Sequence, residues 1–217
     1  MPAAQRAFPY IWTTWLTKLL TGESSCEWAA WFRAHHQGWE RPPNDFNFAQ
    51  WQIDHTALLN DTRRKFEDSG YDVRVEGQNA FRLQGHISTL AGQPDLIVLS
   101  SDHILIVDAK TGVERASHVA QVMVYMYALP LALEQYRDAR IAGEIHYPNR
   151  IQRVPQGGVN QEFIHRLITL IHRVAAPDPP PWTPSAAECR FCDISAADCP
   201  ERVDHDHVPE KGTTADF

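Results

Sequence analysis

Two aspartates and a lysine stand where a pair of neighbouring strands would bring them together. Asp95 precedes one apolar run, and Asp108-Ala109-Lys110 follows the next. If the two runs form an antiparallel hairpin, the carboxylates lie side by side at one end of the sheet. Adjacent carboxylates repel each other, and a divalent cation such as Mg²⁺ or Mn²⁺ removes this conflict. The sequence therefore predicts a cation site at Asp95 and Asp108, completed by the Ala109 carbonyl.

Lys110 lies two residues beyond Asp108, so both side chains share one face of the strand. An ammonium group there would position an attacking water and offset charge that develops on a phosphate. The alternative is an acidic strand end beside a lysine that extends to solvent, which is a common structural arrangement. The additional carboxylate of Asp95 favours a catalytic Asp-Asp-Lys set over this alternative.

Gln121 and Tyr125 are four residues apart in an apolar stretch, so they share one helix face. Their spacing alone is typical of an ordinary amphipathic helix. Because they follow the Asp108-x-Lys110 motif directly, we expect them to hydrogen-bond a phosphate or base of a nucleic-acid strand, with the Tyr125 ring available for stacking.

Four cysteines form the second candidate metal site: Cys26 far upstream, then Cys189, Cys192 and Cys199. A chain of this size and apolar content needs no disulfide staples, and Cys189-x-x-Cys192 is a two-ligand spacing. Pro200 follows Cys199 directly, as is frequent in iron–sulfur loops. The spacing alone leaves tetrahedral zinc, an iron–sulfur cluster and unrelated buried cysteines open.

Patterns along the chain predict the elements that position these residues. Helical spacing predicts helices within 11–38, over about 117–137 and over 161–175. A further helix is expected to begin at a cap on Asn44 or Asp45 and to end at about residue 69, with Gly70 as its C-terminal stop. Alternating or continuous apolar residues predict strands at 73–76, 81–84, 96–99, 104–107, 141–147 and 150–154. The runs 96–99 and 104–107 are expected to form a central hairpin buried on both faces. Residues 177–184 are rich in proline and predict an extended linker.

Composition limits the function classes. The chain has 217 residues, 43% of them apolar, and seven tryptophans, which excludes disorder for most of it. A net charge of −7 argues against a protein that coats duplex DNA by bulk electrostatics, but not against a local basic passage. The apolar runs are too short to cross a membrane, and no secretion signal precedes them, so we expect a cytoplasmic protein.

Asp95, Asp108-Ala109-Lys110 and Gln121-x-x-x-Tyr125 resemble motifs II, III and the Gln-Tyr motif of RecB-like nucleases in the PD-(D/E)XK superfamily. The resemblance implies an α/β fold with a restriction-endonuclease-like core, a central mixed sheet flanked by helices. It also implies a motif I histidine as a metal ligand, which His55 matches. Asp108 departs from the pattern, because many relatives have glutamate there. The implied divisions are an N-terminal helical segment 1–70, a nuclease core 71–176, a cluster-binding segment 177–208 and a flexible tail 209–217.

One branch of these nucleases carries a 4Fe–4S cluster with one cysteine before motif I and three after the core. This is the order of Cys26, Cys189, Cys192 and Cys199, so the resemblance implies a structural cluster that joins the two ends of the chain. The free-standing CRISPR-associated exonuclease type is the nearest match. It implies DNA as substrate, CRISPR integrase proteins as potential partners, and a role in CRISPR adaptation or DNA repair.

The sequence as a whole predicts a metal-dependent deoxyribonuclease that acts on single-stranded DNA or DNA ends. Candidates for its basic lining are Arg115 and His118, together with Arg137, Arg140, Arg150 and Arg153. One alternative is a redox or metal-storage protein, which would leave Asp95, Asp108 and Lys110 without a role. Another is a non-catalytic partner that binds DNA ends in a larger complex.

Overall fold

The computed structural model describes residues 3–43, 46–101 and 103–203. Its helices are α1 (Thr13–Thr21), α2 (Glu27–His35), α3 (Phe48–Asp68), α4 (Ala116–Ala132), α5 (Gln161–Ala175) and α6 (Ala186–Cys189). Its strands are β1 (Ala4–Gln5), β2 (Tyr10–Trp12), β3 (His36–Gln37), β4 (Asp72–Val75), β5 (Phe81–Gln84), β6 (Thr89–Gly92), β7 (Leu96–Leu99), β8 (His103–Ala109), β9 (Arg140–Tyr147) and β10 (Arg150–Val154). Helices flank multi-stranded mixed sheets, which confirms the predicted mixed α/β class.

The main sheet has the strand order β10-β9-β8-β7-β4. The expected central hairpin is present: β7 and β8 are antiparallel, with Leu96 opposite Val107. Both residues are fully buried, as expected for continuous apolar runs covered on both faces. The next strand, β9, runs parallel to β8, and a parallel pair needs a crossover connection, which α4 supplies.

The crossover helix α4 is held against the sheet by a close approach at Gly143 of β9. A Cβ atom added at Gly143 would lie 2.2 Å from Cγ1 of Val122 and 3.1 Å from Sδ of Met126. Val122 is fully buried. Glycine is therefore required here by space, and it fixes the distance between α4 and the sheet that carries Asp108.

A second sheet, with the order β2-β6-β5, was not foreseen in full. The prediction of helical structure at Ile11 and Trp12 is wrong, because both residues lie in β2, which pairs in parallel with β6. A three-residue strand carries too little periodicity to distinguish it from a helix start. The Thr13 hydroxyl donates to the Ala91 carbonyl at 2.9 Å and ties the start of α1 to this sheet.

Most of the predicted ends of the longer helices agree with the structure. The range 161–175 of α5 is confirmed. Helix α3 is capped by Asn47, whose side chain accepts from the backbone N–H of Gln50, whereas the predicted caps Asn44 and Asp45 lie outside the described residues. Gly70, with φ of 85°, follows the end of α3 as predicted.

Helix α4 ends earlier than predicted, at Ala132 instead of Arg137. Pro130 lies in its last turn, where it lacks a backbone donor. The backbone of Leu133 then becomes extended, and a short 3-10 turn at Glu134–Tyr136 follows.

The C-terminal segment returns to pack against α2. Residues 177–185 have no regular secondary structure, in keeping with the predicted linker. The Trp31 indole donates to the Ala176 carbonyl at 2.8 Å, and Arg33 forms an ion pair with Asp193 at 2.7 Å. Both ends of the described chain therefore meet at α2. The predicted tail 209–217 lies outside the described residues, and the division into segments stays a prediction.

No helix in the described ranges has both the length and the apolar character that crossing a membrane requires.

Replacing Gly143 with alanine tests the close approach of α4 to the sheet. We expect Gly143→Ala to lower the free energy of unfolding by about 1–3 kcal/mol, because α4 must shift to relieve the overlap with Val122. Gly157→Ala is the matched control, since an added Cβ there meets nothing within 4 Å. Denaturant titration of both variants measures the difference, and equal midpoints would contradict the packing argument.

Candidate metal-dependent catalytic site

The hairpin of β7 and β8 brings Asp95 and Asp108 to one end of the main sheet. Because Leu96 pairs with Val107, the residues just outside this pair face each other. The Ala109 backbone N–H donates to Oδ2 of Asp95 at 2.7 Å, so the Asp95 side chain bridges the two strands. The Asp95 backbone carbonyl accepts from the Glu76 N–H at 2.8 Å. These bonds hold the Asp95 carboxylate beside the end of β8.

Asp108 is buried, with 1% of its side chain exposed. Its Oδ1 accepts from Nε2 of Gln121 at 3.0 Å. Its Oδ2 lies 2.7 Å from the Lys110 ammonium, but outside hydrogen-bonding alignment, so this oxygen is a buried acceptor without a hydrogen-bond partner. Burial raises the pKa of Asp108 to about 6, the nearby Asp95 charge adds to the rise, and Lys110 opposes it.

His55 projects from α3 toward the same carboxylates, as the motif I resemblance predicts. Its Nε2 lies 3.5 Å from Oδ2 of Asp95, and both side chains are largely buried. The hydrogen bond to Asp95 raises the pKa of His55 despite the opposing effect of burial. Without a cation, a protonated His55 is the species that best balances the Asp95 charge.

The chemistry of these donors fits a divalent cation. The two carboxylates are oxygen ligands of the kind that Mg²⁺ and Mn²⁺ favour, and an imidazole suits a transition metal such as Mn²⁺. A bound cation would add positive charge beside the buried Asp108, which now has only the Lys110 ammonium at its Oδ2. In the described part of the chain, no three His, Cys, Asp or Glu side chains are already arranged around a common metal position. Asp95, Asp108 and His55 would therefore have to close around the cation when it binds.

Gln121 and Tyr125 share a helix face as predicted, but their roles differ from the prediction. The Gln121 amide donates to Asp108 and, at 2.9 Å, to the Tyr125 hydroxyl. The Tyr125 hydroxyl in turn donates to the Gln93 carbonyl at 3.4 Å. The Tyr125 side chain is 1% exposed, and its ring packs edge-on against Phe81. The prediction that this ring stacks on a base is wrong, because packing against the second sheet buries it.

Arg115 and His118, the other predicted DNA contacts, line a cavity of about 880 Å³ that Lys110 and Gln121 also line. We call it the site cavity. His118 bonds the Tyr147 hydroxyl through Nδ1 at 3.0 Å. Burial, with nearby positive charges, lowers the pKa of His118 to about 4. It is therefore neutral at pH 7 and adds no positive charge to the lining.

Two arginines of the predicted lining, Arg137 and Arg140, lie away from the carboxylates. Arg140 opens β9 opposite His103, at the end of β8 remote from Asp108, and Arg137 lines a separate cavity. Arg150 is exposed and bonds Glu114 at 2.8 Å. The lining prediction therefore fails for Arg137, which lines the other cavity, and for Arg140, because sequence position does not reveal which end of the sheet a strand residue occupies.

Glu23 positions α4 and was missed by sequence reasoning. Its carboxylate accepts from the Ser117 backbone N–H at 2.7 Å and from the Ser117 hydroxyl at 2.8 Å. The helix has no side-chain cap from Arg115, so a carboxylate from another element serves its N-terminus. Burial would raise the pKa of Glu23, but the bonds from Ser117 lower it overall. The only indication in the sequence is that Arg115, the residue directly before α4, provides no side-chain cap for this helix.

The four cysteines converge although they are distant in sequence. All are free thiols, and all line the site cavity. Burial raises the pKa of the Cys199 thiol, and Cys26, Cys189 and Cys192 each contribute to the rise, which places them within electrostatic reach of it. This set of sulfur donors fits zinc or an iron–sulfur cluster, although the described residues hold no preformed ligand group, as noted above.

Glu188 holds the segment that leads into Cys26. Its carboxylate accepts from the Ser24 hydroxyl at 2.5 Å, from the Ser25 N–H at 3.0 Å and hydroxyl at 2.9 Å, and from the Cys26 N–H at 3.2 Å. Glu188 is next to Cys189, so these bonds bring Cys26 toward the C-terminal cysteines. The short segment 23–26 thus contacts both α4 and α6.

Comparison with known proteins gives the family. The sequence matches the PD-(D/E)XK nuclease superfamily over residues 13–199, and the chain belongs to this superfamily, whose members are generally metal-dependent nucleases. No curated protein matches the sequence. A solved structure described as "Crystal structure of SSO0001" aligns with 93% of this chain and 90% of its own, at 14% identity and a TM-score of 0.44.

Replacing Glu23 with glutamine tests its role at the start of α4. We expect Glu23→Gln to lower stability by about 1 kcal/mol at pH 7, because hydrogen bonds to a charged acceptor are lost. The folded pKa of Glu23 is lowered, so its contribution is present above the unfolded pKa and disappears as the pH falls. The difference from the native protein should therefore shrink as the pH falls below the unfolded pKa and through the lowered folded pKa of Glu23.

Thermal unfolding across this pH range measures the effect. The control is Glu162→Gln, an exposed carboxylate in the first turn of α5, for which a smaller change is expected. If the Glu23 and Glu162 variants lose equal stability at every pH, Glu23 does not cap α4.

Proposed function

We propose that this protein is a divalent-metal-dependent deoxyribonuclease that hydrolyses phosphodiester bonds of single-stranded DNA, mainly at DNA ends. The observation that carries the proposal is the buried Asp108 carboxylate, which lies beside Asp95, His55 and Lys110 at the end of the β7–β8 hairpin. Its burial beside a second carboxylate and its raised pKa are features that a bound cation would offset. Membership of the PD-(D/E)XK superfamily supports the same chemistry.

His55, Asp95 and Asp108 would hold Mg²⁺ or Mn²⁺, with the Ala109 carbonyl as a further candidate ligand. When bound, the cation would polarise the scissile phosphate and favour deprotonation of a water. Gln121 fixes the Asp108 carboxylate by donating to Oδ1. Tyr125 in turn holds Gln121. Both act on the site through Asp108, and Gln121, which also lines the site cavity, remains a candidate DNA contact.

We assign to Lys110 the stabilisation of the transition state. Its ammonium lies beside Asp108, and the side chain is 23% exposed, so it borders both the carboxylates and the site cavity. There it would orient the attacking water and balance the charge that grows on the phosphate during attack. Arg115, which also lines the cavity, would contact the DNA backbone.

A single strand suits the site better than a duplex. The net charge of −7 provides no broad positive surface for a duplex backbone. Lys18, Lys110 and Arg115 instead supply positive charge within one cavity, which favours a narrow path for a single backbone. Cleavage mainly at DNA ends, a cytoplasmic location, and participation in CRISPR adaptation with integrase proteins or in DNA repair are proposed on the sequence resemblance to RecB-like nucleases alone.

For the cysteines we propose a structural 4Fe–4S cluster, with zinc as the alternative. Two observations support this proposal. All four cysteines line the site cavity, and Cys26, Cys189 and Cys192 each contribute to the raised pKa of the Cys199 thiol. Cys26 directly precedes α2 at its N-cap position, and Cys189 ends α6. A cluster on these ligands would therefore join the N-terminal helices to the C-terminal segment.

Two variants test the nuclease proposal. Lys110→Ala is expected to lower the cleavage rate in Mg²⁺ or Mn²⁺ by on the order of a hundredfold or more, with DNA affinity in Ca²⁺ nearly unchanged. Asp108→Asn is expected to abolish cleavage without loss of thermal stability in the absence of divalent ions. The reason is that the folded pKa of Asp108 is raised, so the carboxylate destabilises the fold increasingly as the pH rises from the unfolded pKa to the folded pKa of about 6, and fully above it.

The control for both variants is Lys65→Ala, a lysine in the last turn of α3. DNA binding without cleavage by the native protein in Mg²⁺ and Mn²⁺ would instead indicate a non-catalytic partner that binds DNA ends. A Lys110→Ala protein that cuts at the native rate would refute the assignment of that residue.

Replacing Cys26 tests the remote fourth ligand. Cys26→Ala is expected to release the metal and destabilise the chain as severely as replacing Cys189, because a four-ligand site fails when one ligand is lost. Iron and zinc analysis with visible absorbance identifies the group, since zinc gives no colour. Ser195→Ala, in the same C-terminal segment, is the control. Full metal content and stability in Cys26→Ala would contradict the four-cysteine site.

A further inference from the structure

The start of α3 exposes an unusual set of large apolar side chains. Phe46 is 60% exposed, Phe48 61% and Trp51 37%. The rings of Phe46 and Phe48 lie 6.4 Å and 5.4 Å from the Trp51 ring, centroid to centroid. We call these three residues the aromatic platform. Clustered exposed aromatic rings on a protein surface are typical of a binding site.

The platform leads directly to the candidate catalytic residues. The Trp51 ring stacks on the His55 imidazole with centroids 5.1 Å apart and planes 24° apart. His55 is in turn 3.5 Å from Asp95. Phe46 and Trp51 also line the site cavity together with Lys110. A flat group stacked on the platform would therefore lie next to the candidate catalytic residues.

The same cavity pairs this apolar surface with positive charge. Lys18 and Arg115 line it in addition to Lys110. Flat apolar rings beside cations match the two parts of a nucleotide, because bases stack on aromatic side chains and phosphates bind cations. A second copy of this chain docked symmetrically here would instead bring a second set of the same cations against the first.

We propose that Phe46, Phe48 and Trp51 stack the unpaired bases of the DNA strand that enters the site, with the base on Trp51 nearest the scissile phosphate. The inference rests on the proposed nuclease function and adds how the substrate is selected. Bases in a duplex are already stacked on one another and offer no free face to the platform. The aromatic platform would thus select single strands, a role that the buried Tyr125 ring does not fill.

The test measures the Kd of an oligothymidine strand in Ca²⁺, which keeps binding separate from cleavage. Trp51→Ala and Phe48→Ala are each expected to weaken binding by roughly 5- to 150-fold, the range for loss of one base–aromatic stack. Ile53→Ala is the matched control, because Ile53 is apolar, lies on the same helix, is 63% exposed and does not belong to the aromatic platform. We expect Ile53→Ala to bind like the native protein, and Trp51→Phe to retain most of the affinity.

An abasic scan makes the test specific to stacking. One abasic nucleotide at the platform position should weaken binding to the native protein but add little to the loss in Trp51→Ala, because both changes remove the same contact. Additive losses at every position of the scan would refute stacking. Phe48→Ala separates stacking from disturbance of His55, since Phe48 contacts the Trp51 ring, whereas Trp51 is the residue that stacks on His55.

Failure of this inference is distinguishable from failure of the nuclease proposal. If Trp51→Ala and Ile53→Ala bind equally well while Lys110→Ala still loses cleavage, the nuclease stands and the platform is refuted. If the native protein is a dimer that Trp51→Ala dissociates, without any change in Kd for the oligonucleotide, the platform is an interface between copies. Loss of affinity for single strands with unchanged affinity for a blunt duplex supports the proposal.

Discussion

The structure depends on the burial of Asp108 next to a second carboxylate. Two adjacent negative charges in a poorly solvated position are unfavourable unless surrounding groups compensate them. Here Gln121 donates to Asp108, Lys110 lies against its other oxygen, and the Ala109 N–H bonds Asp95. The compensation is incomplete, since burial and the Asp95 charge still raise the pKa of Asp108 to about 6 although Lys110 opposes the rise. Incomplete compensation is what a site intended for a cation requires, because a fully satisfied pair would gain little from binding one.

The same requirement explains why distant segments meet at α4. The helix must hold Gln121 over Asp108, so its distance from the sheet and its N-terminus must both be fixed. Gly143 permits the close approach, and Glu23 holds the first turn through Ser117. Glu23 is adjacent to the serines that bond Glu188, next to Cys189. The proposed cluster region and the proposed catalytic region are therefore linked by one short segment, 23–26.

The predictability of the fold followed the strength of local patterns. The runs of β7 and β8 are continuous and apolar, and the alternation in Phe81–Gln84 is clear, so strands were predicted there. The two-residue strands β1 and β3 and the three-residue strand β2 carry no usable period. They exist because partners distant in sequence supply their hydrogen bonds, as β6 does for β2. The end of α4 was overestimated because apolar residues continue beyond Pro130.

The sequence by itself determined the hairpin and therefore the approach of Asp95 to Asp108-Ala109-Lys110, because two continuous apolar runs joined by a short turn leave few other pairings. It also predicted the helix face shared by Gln121 and Tyr125. Only the tertiary structure decided what these groups contact. Packing buries the Tyr125 ring, burial keeps His118 neutral, and Glu23 reaches Ser117. Likewise, only the tertiary structure places the Trp51 ring on the His55 imidazole, 3.5 Å from Asp95. Burial and contacts between distant segments depend on how the elements pack, which no local sequence period encodes.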